Sequence, residues 1–374
     1  MKVLTVLGTR PEIIRLSRII PLLDRHAEHV LVHTGQNYDE RLNELFFREL
    51  EVRAPDHFMN VRGAGFGRQA GEILAGIEPI LLRERPDRLL ILGDTNSGLT
   101  AIVARRLGIP VYHMEAGNRC YDDRVPEEVN RRIIDHCSTV LLPYTRRSLE
   151  NLLKEGIDAN RAFVIGNPIH QVITHHEPGI AASRCLEGLG LEPRRFFLVT
   201  MHRAENVDRE DKLRDLVDAL ARLHREFGFP VICSFHPRTR AKVSKFNVDI
   251  EREGLRFVEP LGFLDFIRLE RAAFCILSDS GTVQEEACIF GVPNVTIREV
   301  TERPETIDCG SNLLSGSDPA DIVRHVRLVT SQPTGWQPPA EYLAPLVAET
   351  VVRIVTGFRP ADAAEVEWRQ RLRD

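Results

Sequence analysis

The sequence predicts an α/β fold with two doubly wound domains, each built on a parallel sheet. Three observations support this. The chain has 374 residues, too many for one ordinary core. Short, continuously apolar runs alternate with longer helical patterns, which is typical of parallel strands buried on both faces. The alternation lapses over residues 171–194 and then resumes, so the chain divides into two series.

Each series predicts its own set of strands and helices. In the first series we expect strands over 3–8, 30–35, 88–94, 110–117, 139–144 and 163–168, and helices over 12–25, 39–50, 67–84, 98–107, 127–136 and 146–155. In the second we expect strands over 196–203, 229–237, 255–261, 275–280 and 293–299, and helices near 209–226, 263–271, 282–290 and 318–331. The predicted domains are 1–170 and 171–354, and a C-terminal helix over 355–374 rejoins the first domain.

Composition excludes several classes of protein. The net charge of −5 gives no electrostatic basis for binding nucleic acid or a membrane surface. No apolar run approaches the ~18 residues of a membrane span, and the apolar run at the start is too short for a signal peptide. The seven cysteines are odd in number, widely spaced and free of CxxC, which argues against disulfides and a zinc site and predicts a cytoplasmic protein.

Polar residues collect where the predicted strands end. The positions are 8–10, 34–36, Asp94 and Glu115 in the first series, and His202, His236 and 279–281 in the second. One such residue is more often a cap or a satisfied core group. Open parallel sheets bind ligands outside the carboxyl ends of their strands, so the whole set predicts two sheet edges that face one ligand cleft.

The stretch LSDSGTVQEEA (277–287) predicts an anion site beside two acids. Gly281 allows close backbone approach, and the helix after it offers free N–H groups to a phosphate. Thr282 and Glu285 have the spacing of a capping box, which leaves Glu286 to accept hydrogen bonds from ribose hydroxyls. Alternatively, both acids complement the helix dipole. The sequence has no GxGxxG and no P-loop lysine motif, so neither a dinucleotide nor ATP is indicated.

Eight motifs in order resemble those of one enzyme family. They are GTRPE (8–12), GDTNS (93–97), HMEAGNR (113–119), PEEVNR (126–131), HRAEN (202–206), HP (236–237), SDSGTVQEEA (278–287) and TERPE (301–305). Each alone is weak, but together they resemble the non-hydrolysing UDP-N-acetylglucosamine 2-epimerases, from residue 1 to about 316.

The resemblance implies two Rossmann-like domains in a fold like that of B-type glycosyltransferases, with UDP bound by the second domain, and a homodimer. It implies reversible inversion at C2 of a UDP-N-acetylhexosamine, without NAD or metal. UDP is eliminated to give a 2-acetamidoglycal and then added back with the opposite configuration. The expected reaction converts UDP-N-acetylglucosamine to UDP-N-acetylmannosamine.

The resemblance also implies roles for individual residues. The catalytic group is Asp94, Glu115, Glu127 and His202. The substrate-binding residues are Arg10, Arg15, Arg131, His236, Phe266, Ser280, Gly281, Glu286 and Arg303. Among them, the expected ligands of the diphosphate are Arg10, His202, Ser280, Gly281 and Arg303, whereas Glu286 is expected at the ribose and Phe266 near uracil. Carboxylates suit this chemistry, because one must remove the C2 proton while another returns one.

Departures from the family pattern keep alternatives open. Arg15 stands where the family commonly has lysine, and QNYDE (36–40) departs from the segment of members that their substrate activates. The segment GNRCYDDRVPEE (117–128) resembles relatives acting on 6-deoxy UDP-sugars, so synthesis of UDP-N-acetyl-L-fucosamine is the second expectation. A retaining glycosyltransferase of the same fold and a hydrolysing epimerase are the remaining rivals.

Overall fold

The structure is a computed structural model that describes residues 1–36, 40–63 and 65–358. The chain divides into two compact units. Unit 1 is Met1–Val172 together with the chain from Leu343 onward, and unit 2 is Ile173–Tyr342. Most of the predicted C-terminal helix, residues 359–374, lies outside the described residues.

Unit 1 is built on a six-stranded parallel sheet in the order β3-β2-β1-β4-β5-β6. Its strands are β1 (Lys2–Leu7), β2 (Glu28–His33), β3 (His57–Phe58), β4 (Arg88–Leu92), β5 (Val111–Met114) and β6 (Val140–Leu142). Its helices are α1 (Arg10–Leu16), α2 (Ile20–His26), α3 (Glu40–Glu49), α4 (Phe66–Glu84), α5 (Thr100–Arg106), α6 (Pro126–Cys137) and α7 (Arg146–Lys154), with 3₁₀ turns at Asn96–Leu99 and Ala159–Arg161. The chain passes into unit 2 within α8 (Ile169–His175).

Unit 2 repeats the plan with the strand order β12-β11-β10-β7-β8-β9, again wholly parallel. Its strands are β7 (Phe197–Thr200), β8 (Val231–Ser234), β9 (Leu255–Val258), β10 (Cys275–Ser278), β11 (Asn294–Thr296) and β12 (Asn312–Leu314). Its helices are α9 (Glu177–Ala182), α10 (Cys185–Gly188), α11 (Ala204–Val207), α12 (Glu210–Phe227), α13 (Pro237–Lys245), α14 (Phe263–Ala272), α15 (Gly281–Phe290), α16 (Pro304–Asp308) and α17 (Pro319–Ser331). After the 3₁₀ turn Ala340–Leu343, α18 (Val347–Gly357) belongs to unit 1.

Both faces of each sheet are covered, as the continuous apolar strands predict. All residues of β4 and β10 are buried. In β7, Phe197 and Val199 join one apolar core while Leu198 joins another, because successive side chains point to opposite faces. The predicted α/β class with two doubly wound domains is therefore confirmed.

Helix α12 shows how the apolar pattern positions a covering helix. Its apolar residues recur every three or four positions, so they form one stripe that packs against the sheet. The buried members are Leu213, Leu216, Val217, Ala219, Leu220 and Leu223. Gly228 ends the helix in the left-handed conformation, with φ of 68°. Among the helices of the described residues, none has the length and apolar character to cross a membrane.

Three strand predictions need correction. Residues 163–168 form no strand: the N–H groups of Phe163 and Ile165 donate to Leu141 and Pro143, but Pro143 has no N–H to return a hydrogen bond, and Gly166 turns away with φ of 85°. The strands β3 and β12, which have two and three residues, were not predicted. Runs so short carry no readable periodicity.

Neighbouring strands bring two predicted catalytic residues to one sheet edge. In the parallel pair β4 and β5, Leu92 lies opposite Met114. Asp94 and Glu115 follow these strand ends and therefore emerge at the same edge of unit 1. Gly93 and Gly117 shape the two turns, with φ of 73° and 80°.

We expect Gly117→Ala to destabilise unit 1 more than Gly93→Ala. An added Cβ at Gly117 would lie 2.2 Å from the Ser148 carbonyl oxygen, whereas one at Gly93 would meet no atom within 4 Å. Gly93→Ala should cost about 1–2 kcal/mol for its backbone conformation alone. Gly117→Ala should cost roughly 3 kcal/mol or more, because the clash is added. Urea unfolding measures both, and equal losses would contradict the predicted close approach.

Candidate active site

Glu12 fixes the turn after β1. It is 2% exposed, and its Oε2 accepts hydrogen bonds from the backbone N–H groups of Gly8 (2.6 Å) and Thr9 (2.7 Å). Thr95 Oγ1, beyond β4, donates to its Oε1 at 2.7 Å. Burial raises the pKa of Glu12 to about 7, against the opposing effect of these donors. Arg10 projects from this turn, and its guanidinium lies 6.0 Å from the Phe46 ring centre.

The turn after β2 is tied to the loop after β4. Thr34 Oγ1 lies 2.8 Å from Ser97 Oγ, which donates to Gln36 Oε1 at 2.9 Å. Gly8 has no room for a Cβ, since one would lie 2.0 Å from Thr34 Oγ1. The strand-end residues 8–10 and 34–36 are thus brought together as predicted. Residues 37–39 of the QNYDE segment lie outside the described residues.

Arg131 holds Asp94. The guanidinium of Arg131 is 3% exposed. Its Nε donates to Asp94 Oδ2 at 2.7 Å and its Nη1 to Glu128 Oε2 at 2.5 Å. Asn130 Nδ2 donates to the Asp94 carbonyl at 3.0 Å. The loop after β4 is therefore anchored to α6 by a buried cation between two carboxylates.

Glu115 lies beside a second buried arginine. It adopts φ of 65°, which is uncommon for a residue with a side chain. Its Oε1 accepts from Asn118 Nδ2 at 3.1 Å, and its Oε2 faces Arg15 Nη1 at 3.4 Å. Arg15 is 1% exposed, with its guanidinium 5.5 Å from the Tyr144 ring centre. The carboxylate of Glu115 is thus oriented from both sides.

A buried ionic network supports the loop that carries Glu115. Asp135 accepts hydrogen bonds from His113 Nδ1 (2.9 Å) and the Gly117 N–H (3.2 Å), and it pairs with Arg119 at 2.8 Å. His113 Nε2 lies 2.9 Å from the Gly93 carbonyl oxygen. Burial alone would raise the pKa of Asp135, but the hydrogen bond and charge of His113, followed by Arg119, lower it below its usual range. No sequence pattern predicted this network.

Glu127 and Glu128 have different environments at the start of α6. Glu127, the predicted catalytic residue, is half-buried. Glu128 is fully buried and accepts from the backbone N–H groups of Cys120 and Tyr121, each at 3.0 Å. Burial favours a higher pKa for Glu128, but the Cys120 N–H and the charge of Arg131 bring it below its usual value. The spacing of Glu128, Arg131 and Asp135 places them on one helical face, but charged residues at this spacing also occur on exposed faces, so the spacing did not reveal their burial.

In unit 2, Asp279 organises the turn that carries His202. Asp279 is fully buried. Its Oδ2 accepts from the N–H groups of His202 and Arg203, both at 2.9 Å, and from Asn206 Nδ2 at 3.1 Å. His202 Nδ1 lies 3.2 Å from Asp279 Oδ1, and its side chain is 33% exposed. The ring centres of His202 and His236 are 5.3 Å apart, so these predicted residues lie together after β7 and β8.

The start of α15 has the features of an anion site. Ser280 is its N-cap residue and Gly281 its first residue. The guanidinium of Arg303 lies over this end, since an added Gly281 Cβ would be 3.5 Å from its Cζ. Arg303 Nε donates to Glu285. Helix N–H groups and a buried cation converge here, which suits a phosphate.

The capping-box interpretation of Thr282 and Glu285 is wrong. Because the helix begins at Gly281, Thr282 lies inside its first turn and cannot be the N-cap residue. Glu285 instead forms an ion pair with Arg303. Glu286 is 4% exposed, on the same helix. Phe266 of α14 is partly buried against a unit 2 core, as are Leu261 and Phe290.

The family model described as UDP-N-acetylglucosamine 2-epimerase matches residues 22–356. The chain belongs to this family. The UDP-N-acetylglucosamine 2-epimerase of Methanocaldococcus jannaschii is 39% identical, and the alignment covers 95% of this chain and 99% of the relative. The crystal structure of the Methanocaldococcus jannaschii enzyme in complex with UDP-GlcNAc and UDP has a TM-score of 0.91 at 38% identity, with 95% of this chain and 99% of that chain covered.

Two more distant similarities are to an epimerase named for a different UDP-sugar and to a glycosyltransferase. The UDP-2,3-diacetamido-2,3-dideoxy-D-glucuronate 2-epimerase of Pseudomonas aeruginosa is 36% identical, over 87% of this chain and 92% of the relative. The lipopolysaccharide glycosyltransferase WaaG, at 14% identity and a TM-score of 0.59, covers 95% of this chain and 100% of its own, and shares the fold alone. The predicted family, its resemblance to a glycosyltransferase fold and the enzyme class, a UDP-sugar epimerase, are confirmed.

We expect Arg131→Met to destabilise the protein far more than Arg132→Met. Arg131→Met leaves Asp94 and Glu128 without their buried cation, a change that typically costs about 3–5 kcal/mol. Arg132 pairs with the exposed Asp123 at the surface, where such pairs contribute less than about 1 kcal/mol. Urea unfolding of both variants checks this, and similar losses would show that Arg131 is not a structural cation.

Proposed function

We propose that the protein interconverts UDP-N-acetylglucosamine and UDP-N-acetylmannosamine by inverting the configuration at C2 of the sugar. The observation that carries the proposal is the pair Asp94 and Glu115, which end neighbouring strands and lie beside the buried Arg131 and Arg15. Two carboxylates with different partners suit a reaction that needs both a base and an acid. The 39% identity to a named 2-epimerase over almost the whole chain adds support.

The proposed reaction has two balanced halves. A carboxylate removes the C2 proton, the C2–H electrons form the C1–C2 double bond, and the C1–O bond breaks with its electrons passing to UDP. The 2-acetamidoglycal then accepts UDP at C1, while an acid delivers a proton to the opposite face of C2. Asp94, Glu115 and Glu127 are the proposed acids and bases, and His202 completes the catalytic group.

The negative charge that develops on the departing UDP must be stabilised. We assign the diphosphate to Ser280, Gly281 and Arg303, where α15 N–H groups and a cation meet, and to His202, which Asp279 orients. Arg10 is a further proposed diphosphate ligand, and His236 lies beside His202. Glu286 is proposed to bind the ribose and Phe266 to lie near uracil.

The contacts of Arg15 and Arg131 refine their expected roles. Both were expected to bind substrate. Arg131 is buried between Asp94 and Glu128, and Arg15 is buried beside Glu115. We propose that each acts chiefly by positioning the carboxylate that it contacts. An arginine in place of the family's usual lysine at position 15 fits this, since a guanidinium can address several acceptors at once.

Assembly and location follow the family resemblance. We propose a homodimer in the cytoplasm. The seven cysteines are free thiols, and the Sγ atoms of Cys288 and Cys309 lie 3.6 Å apart as a hydrogen-bonded pair of thiols and not as a disulfide, which suits a reducing compartment. Sedimentation equilibrium tests the dimer, and a monomer at micromolar concentration would contradict it.

Turnover in deuterated water tests the function directly. With UDP-N-acetylglucosamine as the sole substrate, we expect UDP-N-acetylmannosamine that carries deuterium at C2, because the proton is exchanged on a carboxylate. Product without label at C2 would contradict proton abstraction. Free sugar with UDP would identify a hydrolysing enzyme, and no reaction without an acceptor would favour a glycosyltransferase. Proton NMR at C2 and mass spectrometry give the readout.

A 6-deoxy sugar is the second candidate substrate. The observation that favours it is the segment GNRCYDDRVPEE, in which Glu128 fixes the backbone of Cys120 and Tyr121. The same experiment with a 6-deoxy UDP-N-acetyl-L-hexosamine compares kcat/KM for the two sugars. A preference for the deoxy sugar of about 100-fold, or ~2.7 kcal/mol in transition-state binding, would reverse the ranking and keep the epimerase.

Substitutions should separate catalysis from binding. Asp94→Asn, Glu115→Gln and Glu127→Gln should each lower kcat by roughly 10²–10⁴, the usual range for positioned acid–base groups. Glu286→Gln should mainly raise KM, because ribose contacts are equal in ground and transition states. Steady-state kinetics with circular dichroism as the folding control checks this. A Glu127→Gln variant with wild-type kcat would remove Glu127 from the catalytic group.

A further inference from the structure

A second buried acid lies next to the proposed ribose ligand. Glu270, on α14, has no exposed surface. Within the described part of the chain, neither of its carboxyl oxygens has a hydrogen-bond donor. Burial of an ionised carboxylate without donors is very unfavourable, so such a group takes up a proton instead.

The group facing Glu270 is itself a carboxylate. Glu286 of α15 is 4% exposed and within hydrogen-bonding reach of Glu270. Two ionised carboxylates in contact repel strongly, whereas one shared proton lets the neutral acid donate to the carboxylate. Burial, followed by the charge and hydrogen bond of Glu286, raises the pKa of Glu270 well above its usual value.

The cation that acts on Glu270, Arg271, is engaged by another carboxylate. Arg271 lowers the pKa of Glu270 in part, but its guanidinium pairs with Glu177 of α9 at 2.7 Å and lies 4.9 Å from the Phe290 ring centre. The other charged groups on α14 and on the helices packed against it are Asp265, Arg268, Glu187 and Glu285, the last of which pairs with Arg303. The group that α14 offers to Glu286 is therefore the protonated carboxyl of Glu270.

We propose that Glu270 is a positioning residue that remains protonated and donates its proton to Glu286, which fixes the Glu286 carboxylate for the ribose of the bound nucleotide. This inference rests on the proposed function. Phe266 lies four residues earlier on α14, so the two residues share one helical face. That face thus carries both the residue proposed near uracil and the acid that sets the ribose ligand.

The shared proton predicts a pH dependence of a definite sign. At high pH, ionisation of Glu270 places a second charge beside Glu286, so binding of UDP weakens. The same proton affects folding. Above the ordinary pKa of glutamate the unfolded chain has lost this proton while the folded chain retains it, so the free energy of unfolding falls as pH rises towards the raised pKa of Glu270.

Calorimetric titration with UDP as the probe tests the inference. The titrations run from about pH 6 to about pH 10, which is above the ordinary pKa of a carboxyl group. Glu270→Leu removes the donor and should weaken UDP binding about tenfold at neutral pH. Glu270→Gln supplies a donor that does not ionise, so it should restore most of the affinity and abolish the extra loss at high pH. Glu187→Gln, an exposed acid on α10, is the matched control and should keep the wild-type profile.

Comparison among the variants cancels the ionisations that all of them share, such as that of the UDP phosphate. Identical pH profiles for the wild type and Glu270→Gln would overturn the inference, as would equal losses in Glu270→Gln and Glu270→Leu. At neutral pH, the infrared difference between ligand-free wild type and Glu270→Gln should contain a neutral carboxylic acid band, whereas the contribution of Glu12, whose pKa is about 7, is common to both and cancels. The absence of this difference band would also overturn the inference. A protein with this band that fails to bind UDP would reject the proposed function and keep the shared proton.

Discussion

Buried carboxylates that accept hydrogen bonds from backbone N–H groups hold the strand-end turns of both units. Glu12 fixes the turn after β1, and Asp279 fixes the turn after β7. Asp135 and Glu128 do the same for the loop after β5. The carboxylates are buried, so the donors that surround them offset a large desolvation cost. Removing one would leave several buried donors unpaired, and the turn that presents the candidate residues would lose its geometry.

With the turns held by these buried acids, each candidate catalytic group has its own orienting residue. Asp94 and Glu115 are each oriented by a buried arginine from a helix, and His202 by Asp279. Glu128 shares Arg131 with Asp94, and Asp135 supports the loop after β5, so the proposed catalytic carboxylates are not the sole anchors of their loops. Such a division suits acid–base chemistry, in which the reacting group must gain and lose a proton without unfolding its loop.

Much of the fold was readable from the sequence, because continuous apolar runs and 3.6-residue periodicity survive in ten of the strands and in the long helices. The failures have physical causes. Residues 163–168 look apolar, yet Pro143 cannot complete the ladder beside them. At the candidate site, strand-end position singled out Asp94, Glu115 and His202 as candidates, but sequence alone could not separate exposed from buried acids, so Asp135 and Glu270 were missed. The capping-box prediction for Thr282 and Glu285 was wrong because residue spacing does not show at which residue a helix begins.

The two adjacent acids of α15 show why an anion site can tolerate carboxylates nearby. Glu285 is paired with Arg303, the cation over the start of the helix, so it orients that cation. Glu286 faces the neutral form of Glu270, so it has a proton for a partner. The first acid is therefore balanced by a charge and the second by a hydrogen bond. Neither arrangement needs a further cation from the candidate anion site, and the N–H groups of α15 remain available for the diphosphate that we propose to bind there.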